Sequence, residues 1–526
     1  MPSNVTGKLI GGRRVRWDDD RAADAYARGW WVHSTLADSL IEAAQRTPKR
    51  TVLIDGACEV DCRSLYEQSS ALAQALLTRM APGSVVSMML PNWHEAAIIY
   101  LAATIAGMVV NPILPSLRDR ELLFILNDAD TRMIFVPPVI GRYDYAAMLD
   151  RVASQLDSPP EVFEVRGGTP LPAANSSLGQ LPMLDPDAVR MILYTSGTTG
   201  RPKGVLHSHN SMHALICQIR DHWQVQPGDR FLVPSPIAHI GGSIYAFECP
   251  LLLGTSAVLM ERWTADDAVD LIEAKHCTHI AGATPFLEQM LTAAERAGTR
   301  LPDLKLFICG GASVSPSLIR RAAEYFERAT VSRVYGSTEV PVTTVGAPLD
   351  PDHAADTDGR AGFAHIDLRG GEIHACGPQM LIGYLHADDE VESFDEDGYF
   401  RTGDLARWVD DDYLVVTGRG KDVIIRNGEN IAPKEIEDIL VDHPGIAEVA
   451  VVGLPDARTG ERACAVIVPT DQPRPDVASL RNFLHDHGVA TFKAPEQVVI
   501  WEQLPRNDAG KVLKHQIQAT LTKTDG

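Results

Sequence analysis

Short apolar runs alternate with longer amphipathic stretches along much of the chain. In the first series, apolar runs at 85–90 and 108–111 flank a helical stretch that opens on the capping box Asn92-x-x-Glu95. A second series follows, with strands predicted near 231–235, 256–260, 278–281, 305–309 and 331–335. Strands that alternate with helices of this length need right-handed crossovers. The pattern therefore predicts an α/β fold in which a large domain contains two stacked α/β layers with parallel sheets.

The periodicity changes twice towards the C-terminal end. From 362 to 417, short alternating strands separated by Gly and Asp turns predict a small β unit. The run Gly418-Arg419-Gly420-Lys421-Asp422 has two glycines in three positions and is a candidate pivot between domains. The remainder predicts a small α+β unit, with a helix at 434–443, strands at 448–452 and 463–468, and a last helix from about 514. We expect a large N-terminal domain over 1–420 and a small mobile C-terminal domain over 421–526.

Composition and charge exclude several kinds of partner. The 526 residues are 45% hydrophobic and 22% charged, which is typical of a soluble globular protein. The formal net charge of −21 disfavours nucleic acid and anionic membranes, because the average surface would repel both. The longest apolar run, 96–110, is too short to span a bilayer and is interrupted by Gly107. No basic-then-apolar signal opens the chain, so we expect a cytoplasmic protein.

The cysteines give no framework of disulfides or metal ligands. All eight are scattered, and no Cys-x-x-Cys pair occurs among them. Cys58 and Cys62 alone are a weak metal signal, and the simpler interpretation is that they are buried thiols. This pattern indicates a reducing compartment.

The run 194–204, here called the Gly/Thr-rich loop, is the most informative stretch of the sequence. Glycines let backbone N–H groups turn towards an anion, hydroxyls donate hydrogen bonds to its oxygens, and a lysine offsets its charge. Lys203 is followed by Gly204 and not by Ser or Thr, so the usual phosphate loop does not fit; Tyr194 excludes a serine-hydrolase elbow around Ser196. The alternative is a flexible surface loop. The candidate polyphosphate ligands are Thr195, Ser196, Gly197, Thr198, Thr199, Gly200 and Lys203.

Four further motifs follow the Gly/Thr-rich loop in a fixed order. They are Tyr335-Gly336-Ser337-Thr338-Glu339, Arg401-Thr402-Gly403-Asp404, Gly418-Arg419 with Lys421-Asp422, and Pro505-Arg506 through Gly510-Lys511. With these motifs, over nearly its whole length, the chain resembles the adenylate-forming superfamily of acyl- and aryl-CoA ligases, peptide-synthetase adenylation domains and luciferases. The resemblance implies an enzyme that joins a carboxylate to AMP at the expense of ATP and then transfers the acyl group to a thiol.

The resemblance assigns the nucleotide-binding residues. Glu339 follows a strand end, where a carboxylate could hold Mg²⁺ against ATP, and Thr338 is implied to contact the α-phosphate. Asp404 can accept hydrogen bonds from both ribose hydroxyls, and Arg419 can reach the ribose or a phosphate. The adenine is expected between Tyr335 and a glycine-rich strand end, with the motif neighbours completing the site: Gly310, Gly311, Ala312, Gly336 and Ser337.

Lys511 is the predicted catalytic cation. A single ammonium near the α-phosphate and the attacking carboxylate can hold two mutually repelling anions together. Most lysines in acidic proteins are solvated surface charges, and only the resemblance favours the catalytic role for Lys511. In the family the small domain turns about the residue at the position of Lys421 between the two half-reactions.

The acyl and thiol sites are assigned by the same resemblance. Pro236 to Gly242 matches the segment that lines the acyl pocket, with His239 beside the carboxylate; the alternative is a satisfied loop histidine. No acidic residue lies in that segment to pair with an α-amino group, so the pocket favours an apolar acid. The expected pocket residues are His239, Ile240, Gly242, Val340 and Pro341, and the thiol site is expected at Gly428, Glu429 and Asn430.

Three functional hypotheses remain from the sequence. The first is an acyl-CoA ligase for a medium-chain, cyclic or aromatic apolar acid, with ATP, Mg²⁺ and coenzyme A as cofactors and a possible homodimer. The second is a stand-alone adenylating enzyme that loads the phosphopantetheine arm of a separate carrier protein. The third is a nucleotide-sensing protein without activity, which the joint presence of Glu339, Asp404, Arg419 and Lys511 disfavours.

Overall fold

A computed structural model describes residues 6–173, 181–195, 201–311, 314–426, 429–456, 458–507 and 510–524. In chain order the strands of the N-terminal part are β1 (Thr6–Ile10), β2 (Arg13–Trp17), β3 (Thr51–Asp55), β4 (Cys58–Asp61), β5 (Val85–Met88), β6 (Val109–Pro112), β7 (Thr131–Val136), β8 (Val139–Ile140), β9 (Tyr143–Asp144), β10 (Glu161–Glu164), β11 (Val189–Thr195), β12 (Lys203–Ser208), β13 (Arg230–Val233), β14 (Ser256–Leu259), β15 (His279–Gly282), β16 (Leu306–Gly310), β17 (Thr330–Val334), β18 (His365–Arg369), β19 (Glu372–Cys376), β20 (Phe400–Val409) and β21 (Tyr413–Arg419). The later strands are β22 (Ile424–Arg426), β23 (Glu429–Ile431), β24 (Ile446–Asp456), β25 (Gly460–Pro469) and β26 (Gln497–Ile500).

The helices surround these strands. They are α1 (Asp19–Ala27), α2 (Leu36–Arg46), α3 (Cys62–Leu77), α4 (His94–Ile105), α5 (Asp119–Asp128), α6 (Tyr145–Ala153), α7 (His209–His222), α8 (Ile240–Ser243), α9 (Cys249–Leu252), α10 (Ala265–Lys275), α11 (Thr284–Ala297), α12 (Pro316–Tyr325), α13 (Pro351–Ala354), α14 (Pro433–Leu440), α15 (Val477–Asp486) and α16 (Lys514–Thr524). A π-helix, Ile244–Glu248, joins α8 to α9, and short 3-10 turns occupy Ala387–Glu390, Gly420–Asp422 and Thr491–Lys493. Among the helices of the described residues, none has the length and apolarity needed to cross a bilayer.

Two large sheets form the layers that the strand–helix alternation predicts. One has the strand order β10-β7-β5-β6-β11-β12 and the other β17-β16-β15-β13-β14-β3-β4. Neighbouring strands are parallel except at one edge of each sheet, where β12 pairs antiparallel with β11 and β4 with β3. The predicted α/β fold of the large domain is therefore confirmed.

The predicted small β unit and the C-terminal α+β unit are also present. The antiparallel strands β18-β19-β20-β21 form the β unit, and β23-β22-β25-β24 with β26 form the C-terminal sheet. Two buried clusters hold the C-terminal unit together, one around Ile436 and Leu480 and one around Leu454 and Ile517. The domain boundary at 420/421 and the mobility of the small domain stay predictions.

Two local predictions need correction. Asn92 does not cap α4, because the residue before the helix is Trp93 and no side-chain capping bond forms there. Cys62 is buried as expected, but Cys58 is exposed beside His94, with 3.8 Å between the Cys58 Sγ and the His94 Nε2. The interpretation of a buried thiol therefore holds for Cys62 alone.

Candidate active site

A cleft of about 590 Å³ lies between the carboxyl ends of β16 and β17 and the C-terminal unit. Open α/β sheets bind ligands at this position, because the loops that leave the strands diverge there. The cleft is lined from both parts of the chain, and its lining includes Gly311, Tyr335, Gly336, Asp404, Arg419 and Lys511. Six residues predicted from separate parts of the sequence therefore meet at one site.

Tyr335, Asp404 and Arg419 form a hydrogen-bonded group on one wall of the cleft. The Tyr335 hydroxyl donates to Asp404 Oδ2 at 2.8 Å, and Arg419 Nε donates to Asp404 Oδ1 at 3.0 Å. Asp404 and Arg419 are paired across the β20–β21 ladder, and Asp404 is 8% exposed. Burial, followed by the Asp404 charge, raises the pKa of the Tyr335 phenol well above its usual value. The tyrosine therefore stays neutral and the carboxylate is held in one orientation.

Close backbone packing explains why glycine occupies the positions that are predicted to lie beside the adenine. A Cβ on Gly310 would lie 2.6 Å from Val334 Cγ1, and one on Gly336 would lie 2.6 Å from the Val342 nitrogen. Gly311 has φ +82, a conformation that favours glycine. Any larger side chain at 310 or 336 would push apart the strand ends that define the cleft.

The Gly/Thr-rich loop is only partly within the described residues. Ser196, Gly197, Thr198, Thr199 and Gly200 lie outside them, as do Ala312 and Gly428, so the roles of these residues stay predictions. The two ends of the loop are paired, since Thr195 of β11 lies opposite Lys203 of β12. The Lys203 Nζ lies 3.9 Å from Asp389 Oδ1 and 5.3 Å from the centroid of the Tyr384 ring.

Glu339 and Thr338 are fixed by two residues that sequence reasoning missed. Tyr384 donates its hydroxyl hydrogen to Glu339 Oε1 at 3.1 Å, and the His207 Nε2 lies 2.8 Å from the Thr338 carbonyl oxygen. Burial lowers the pKa of His207 to about 4, so its ring is neutral and Nε2 carries the proton given to that carbonyl. Neither residue belongs to a motif, so only their hydrogen bonds identify them.

The donor set fits a magnesium ion that is held mainly by the nucleotide. Among the described residues, Glu339 accepts one hydrogen bond on Oε1 and none on Oε2, which leaves a half-buried carboxylate oxygen available. Mg²⁺ in nucleotide sites is commonly held by one or two carboxylates together with phosphate oxygens and water. Asp55, His94 and Glu95 form a second group of potential metal ligands. Its carboxylates are already paired with a cation, because Arg166 lies 2.6 Å from Asp55 and 2.8 Å from Glu95.

Lys511 lies in the cleft, as predicted, at the end of a tight turn. Its backbone N–H donates to Asn507 Oδ1 at 2.8 Å, and Arg506 donates to the Gly510 carbonyl at 2.6 Å. Gly510 has φ +79, and a Cβ there would lie 3.6 Å from Pro285 of α11. The turn is therefore seated against the large domain.

The electrostatic environment of Lys511 weakens its hold on a proton. The pKa of its ammonium is lowered from 10.5 to about 8, chiefly by burial and then by the charge of Arg419, while Asp404 acts in the opposite direction. A cation in this position is incompletely compensated by protein charges, so an entering polyphosphate would stabilise it.

The predicted acyl segment is held by Asn92. The Asn92 amide donates to the Val233 and Ser235 carbonyls at 3.0 and 2.9 Å and accepts from the Ile237 N–H at 3.0 Å. The same segment requires glycine at position 242, because a Cβ there would lie 2.2 Å from the Pro236 carbonyl oxygen. The segment is thus fixed in a tight turn that leads into α8.

His239 and its neighbours are placed beside that turn. His239 is half-buried, burial lowers the pKa of its ring, and its buried Nε2 has no hydrogen-bond partner among the described residues. Ile240 is half-buried, Pro341 is buried, and Val340 belongs to the same buried cluster as Val205. The assignment of these residues to the acyl pocket stays a prediction.

A buried ion pair connects the acyl segment to the strand that precedes the Gly/Thr-rich loop. Arg190 of β11 lies 2.5 Å from Glu248 at the end of the π-helix, and the Tyr100 hydroxyl donates to the same oxygen at 2.7 Å. Arg190 is 3% exposed and Glu248 is 1% exposed. Removal of one partner would leave a buried charge uncompensated, so the pair holds β11 and the π-helix against each other.

Among the predicted hinge and thiol-site residues that the structure describes, Lys421, Glu429 and Asn430 are not part of the cleft lining. Lys421 is exposed in the turn Gly420–Asp422, and Gly418 just before it has φ +147. Glu429 and Asn430 are exposed on β23. Their roles in hinge motion and thiol binding stay predictions.

The fold and the cleft together define a nucleotide-binding α/β enzyme with a C-terminal unit that closes the site. The family model described as "AMP-binding enzyme" matches residues 40–385, and that described as "AMP-binding enzyme C-terminal domain" matches residues 435–511. The chain belongs to the AMP-binding enzyme family. The resemblance stated from the motifs is confirmed.

Curated relatives cover nearly the whole chain. It is 30% identical over 543 residues to a medium-chain fatty-acid–CoA ligase of Escherichia coli (strain K12), with 97% of this chain and 94% of that protein covered. It is 29% identical over 541 residues to a 2,3-dihydroxybenzoate-AMP ligase of Bacillus subtilis (strain 168), with 96% and 97% covered. The predicted enzyme class, an acid–thiol ligase, is confirmed.

Solved structures show the same two-part architecture. ATP-bound MatB from Rhodopseudomonas palustris matches with a TM-score of 0.84 at 27% identity, covering 94% of this chain and all 100% of that one. The apo form of MatB matches with a TM-score of 0.74 at the same 27% identity and the same 94% and 100% coverage. The present arrangement is therefore more similar to the nucleotide-bound form than to the apo form.

Proposed function

We propose that the chain is an ATP-dependent carboxylate–CoA ligase that acts on a medium-chain, cyclic or aromatic apolar acid. The observation that carries the proposal is the position of Lys511, which shares one cleft with Tyr335, Asp404 and Arg419 although it lies in the C-terminal unit. Asp404 can bind the ribose of a nucleotide, and Lys511 in the same cleft can stabilise negative charge on the neighbouring α-phosphate. This combination suits a reaction in which the α-phosphate of ATP is attacked.

In the first half-reaction a carboxylate oxygen of the acid attacks the α-phosphorus of ATP. The bond from that phosphorus to the bridging oxygen breaks, and pyrophosphate leaves with the bond electrons. Asp404 and Arg419 fix the nucleotide, and Lys511 stabilises the charge that builds around the phosphorus. A magnesium ion held through Glu339 would neutralise phosphate charge.

In the second half-reaction the sulfur of the thiol attacks the carbonyl carbon of the acyl-AMP. The bond to the AMP oxygen breaks, and the thioester, AMP and one proton are released. Lys511 has no part in this step. Rotation about Lys421 would withdraw it and bring Glu429 and Asn430 towards the thiol.

An apolar acid is favoured by the surroundings of His239. The ring is kept neutral by burial, which lowers its pKa, and its neighbours Ile240 and Ile237 are apolar. Apart from His239 itself, the segment 236–242 contains no acidic or basic side chain, so an α-amino group would have no carboxylate partner there. The relationship to a medium-chain fatty-acid–CoA ligase supports the same class of acid.

The test is a screen of acids from acetate to aryl and long-chain acids with ATP, Mg²⁺ and free coenzyme A. We expect AMP, pyrophosphate and acyl-CoA in equal amounts, with the highest kcat/KM for an apolar acid of intermediate size. Pyrophosphate release without acyl-CoA from every acid would contradict the choice of thiol. No pyrophosphate release from any acid would contradict the enzyme assignment altogether.

A second candidate is an enzyme that loads the phosphopantetheine arm of a carrier protein. The similarity to the 2,3-dihydroxybenzoate-AMP ligase favours it, since that relative is named for the adenylation step alone. Intact-mass measurement of a carrier protein incubated with the enzyme, acid and ATP separates the two: a mass increase on the carrier without acyl-CoA formation supports the second candidate. A homodimer stays a prediction.

A further inference from the structure

The 3-10 turn Ala387–Glu390 places a buried carboxylate beside the cations of the Gly/Thr-rich loop. Asp389 is 7% exposed, and its Oδ1 accepts a hydrogen bond from Arg201 Nη2 at 2.7 Å. The Lys203 Nζ lies 3.5 Å from the Asp389 carbonyl oxygen and 3.9 Å from Oδ1. Both cations at the downstream end of the loop therefore face the same acidic residue.

Asp389 is held by the protein independently of these cations. Its N–H donates to the His386 carbonyl at 3.1 Å, and its own carbonyl accepts from the Ser393 hydroxyl at 2.6 Å. The His386 ring in turn lies 2.8 Å from Asp128, which also accepts a hydrogen bond from the Tyr194 hydroxyl at 2.8 Å. The backbone of Asp389 is therefore fixed beside the downstream end of the loop.

The cations, by contrast, can leave Asp389. The Arg201 side chain is 43% exposed, and Lys203 approaches the carboxylate no closer than a weak ion pair. Asp389 Oδ2 is buried and has no hydrogen-bond partner among the described residues, so the carboxylate is only half satisfied. Arginine pairs with phosphate in a bidentate manner at least as well as with a carboxylate.

We propose that Asp389 is a resident counter-ion of the Gly/Thr-rich loop. It holds Arg201 and Lys203 when no polyphosphate is bound and gives them up when one enters. The inference rests on the proposed function only in requiring that the loop takes ATP or pyrophosphate. Asp389 touches neither ligand in this scheme, and it acts as a positioning residue through the two cations.

As a consequence, polyphosphate binds with lower affinity and is released faster. Two uncompensated cations would bind pyrophosphate tightly, and tight binding of a product slows the enzyme without helping the chemical step. With Asp389 present, each cation must break its ion pair with the carboxylate before it can pair with a phosphate oxygen. The affinity for pyrophosphate is therefore lower than the local lysine and arginine would give alone.

The test is the binding of magnesium pyrophosphate to the full chain, measured by calorimetry without acid or thiol. We expect Asp389→Asn to bind pyrophosphate about fivefold to tenfold more tightly than the unchanged chain, because one competing charge is removed. The increase in affinity should shrink as potassium chloride is raised, since the partly exposed cations are screened.

The chain offers a matched control in the neighbouring residue. Asp388 is exposed in the same turn, and Asp388→Asn makes the same change in net charge. We expect its pyrophosphate affinity to stay within about twofold of the unchanged chain, because an exposed charge is largely screened. Asp389→Glu, which keeps the charge, should also retain the lower affinity.

Two outcomes would contradict the role of Asp389 as this counter-ion. Unchanged or weaker pyrophosphate binding by Asp389→Asn, with an unchanged melting temperature, would show that Asp389 does not compete with polyphosphate for the two cations. If Asp389→Asn still increases the affinity for pyrophosphate in a chain that also has Arg201→Gln and Lys203→Gln, the increase does not depend on these two cations. If Asp389→Asn does not fold, Asp389→Ser makes the same test with a smaller neutral side chain.

The same measurement separates this inference from the proposed function. Pyrophosphate or ATP binding by the unchanged chain establishes that the loop takes polyphosphate. If neither binds, the proposed function fails. If both bind and the asparagine variant is no tighter, only the role of Asp389 fails.

Discussion

Lys511 shows how one side chain is prepared for its task by its surroundings. Its ammonium lies among Arg419, Asp404, Asp422 and Lys421, and burial is the largest influence on it. Because the pKa is lowered from 10.5 to about 8, the charged form predominates below about pH 8 and is lost as the pH rises through that value. The proposed catalytic cation would therefore begin to lose its charge only slightly above neutral pH.

This lowered pKa predicts an alkaline limit on adenylation. The kcat/KM for ATP, measured by ATP–pyrophosphate exchange, should fall as the pH rises through about 8. Lys511→Arg keeps its charge in this range and should lose that alkaline limb, even if its rate is lower. Lys511→Gln should reduce adenylation about 100-fold to 1,000-fold below about pH 8, because one charge is removed from the transition state, and the difference from the unchanged enzyme should shrink as the pH rises through that value.

The control for both variants is the second half-reaction. Thioester formation from a supplied acyl-AMP should be within a few-fold of the unchanged enzyme, since Lys511 has no part in it. An alkaline limb of the same midpoint in Lys511→Arg would assign the titration to another group.

Residues inside motifs could be predicted, and residues that support them could not. Tyr335, Asp404 and Arg419 each stand in a recognisable run, and the structure joins them although Tyr335 and Asp404 are 69 positions apart. His207 and Tyr384 have ordinary surroundings in the sequence and reach their partners across 131 and 45 positions. No local pattern records such hydrogen bonds, because they depend on how β12 and the segment after β19 pack against the segment that follows β17.

At the scale of elements, the alternation of strands and helices was enough to predict the sheets. The exception at Asn92 is informative, because a residue that suits a helix cap is used instead to bind three backbone groups, two at the end of β13 and just after it and one in the acyl segment. The sequence pattern predicted α4 correctly but placed its N-cap at Asn92, whereas the residue before the helix is Trp93. Tertiary hydrogen bonds outweighed the local capping preference.

The close contact between α8 and the turn before it predicts a difference between two adjacent glycines of that helix. A Cβ on Gly242 would lie 2.2 Å from the Pro236 carbonyl oxygen, whereas one on Gly241 would meet no atom within 4 Å. Gly242→Ala should lower the stability of the large domain by about 1–3 kcal/mol, because the backbone must shift, and should raise the KM for the acid. Thermal unfolding and initial-rate kinetics measure the two effects.

Gly241→Ala is the matched control for that change. Its effect on stability should be within about 0.5 kcal/mol, since the added methyl group meets open space. Equal losses in both variants would mean that flexibility, and not close packing, is what the glycines provide.

At the scale of the whole molecule, the two parts of the chain touch each other directly. The Ser317 hydroxyl donates to Asp442 Oδ1 at 2.6 Å across the cleft, and the Gly510 turn lies against Pro285. This closed arrangement brings Lys511 to the nucleotide site. The motifs predicted that the two regions meet, but a sequence does not record how the small domain is oriented against the large one.

The hinge predicts that the two half-reactions respond differently to one substitution. Lys421 lies in a 3-10 turn directly after β21, so Lys421→Pro restricts the backbone where we propose that the small domain rotates. Adenylation by the closed form should stay within a few-fold, while thioester formation from a supplied acyl-AMP should fall at least about tenfold. Stopped-flow release of pyrophosphate and quantification of acyl-CoA measure the two rates separately.

Equal loss of both half-reactions would refute Lys421 as the hinge. Lys421→Ala is the control, since it removes the exposed side chain and leaves the backbone free. It should retain both rates.

The buried group of Tyr100, Glu248 and Arg190 has a practical meaning for altering the choice of acid. One side of the π-helix is anchored through Glu248 to the strand that leads into the Gly/Thr-rich loop, so changes on that side disturb ATP handling as well. A library that varies Ile240 and Gly241 at the beginning of α8 but keeps the three anchoring residues should redirect substrate preference while the nucleotide chemistry is inherited intact. Diversification of such enzymes is therefore easiest at the beginning of α8, before the π-helix that carries this anchor.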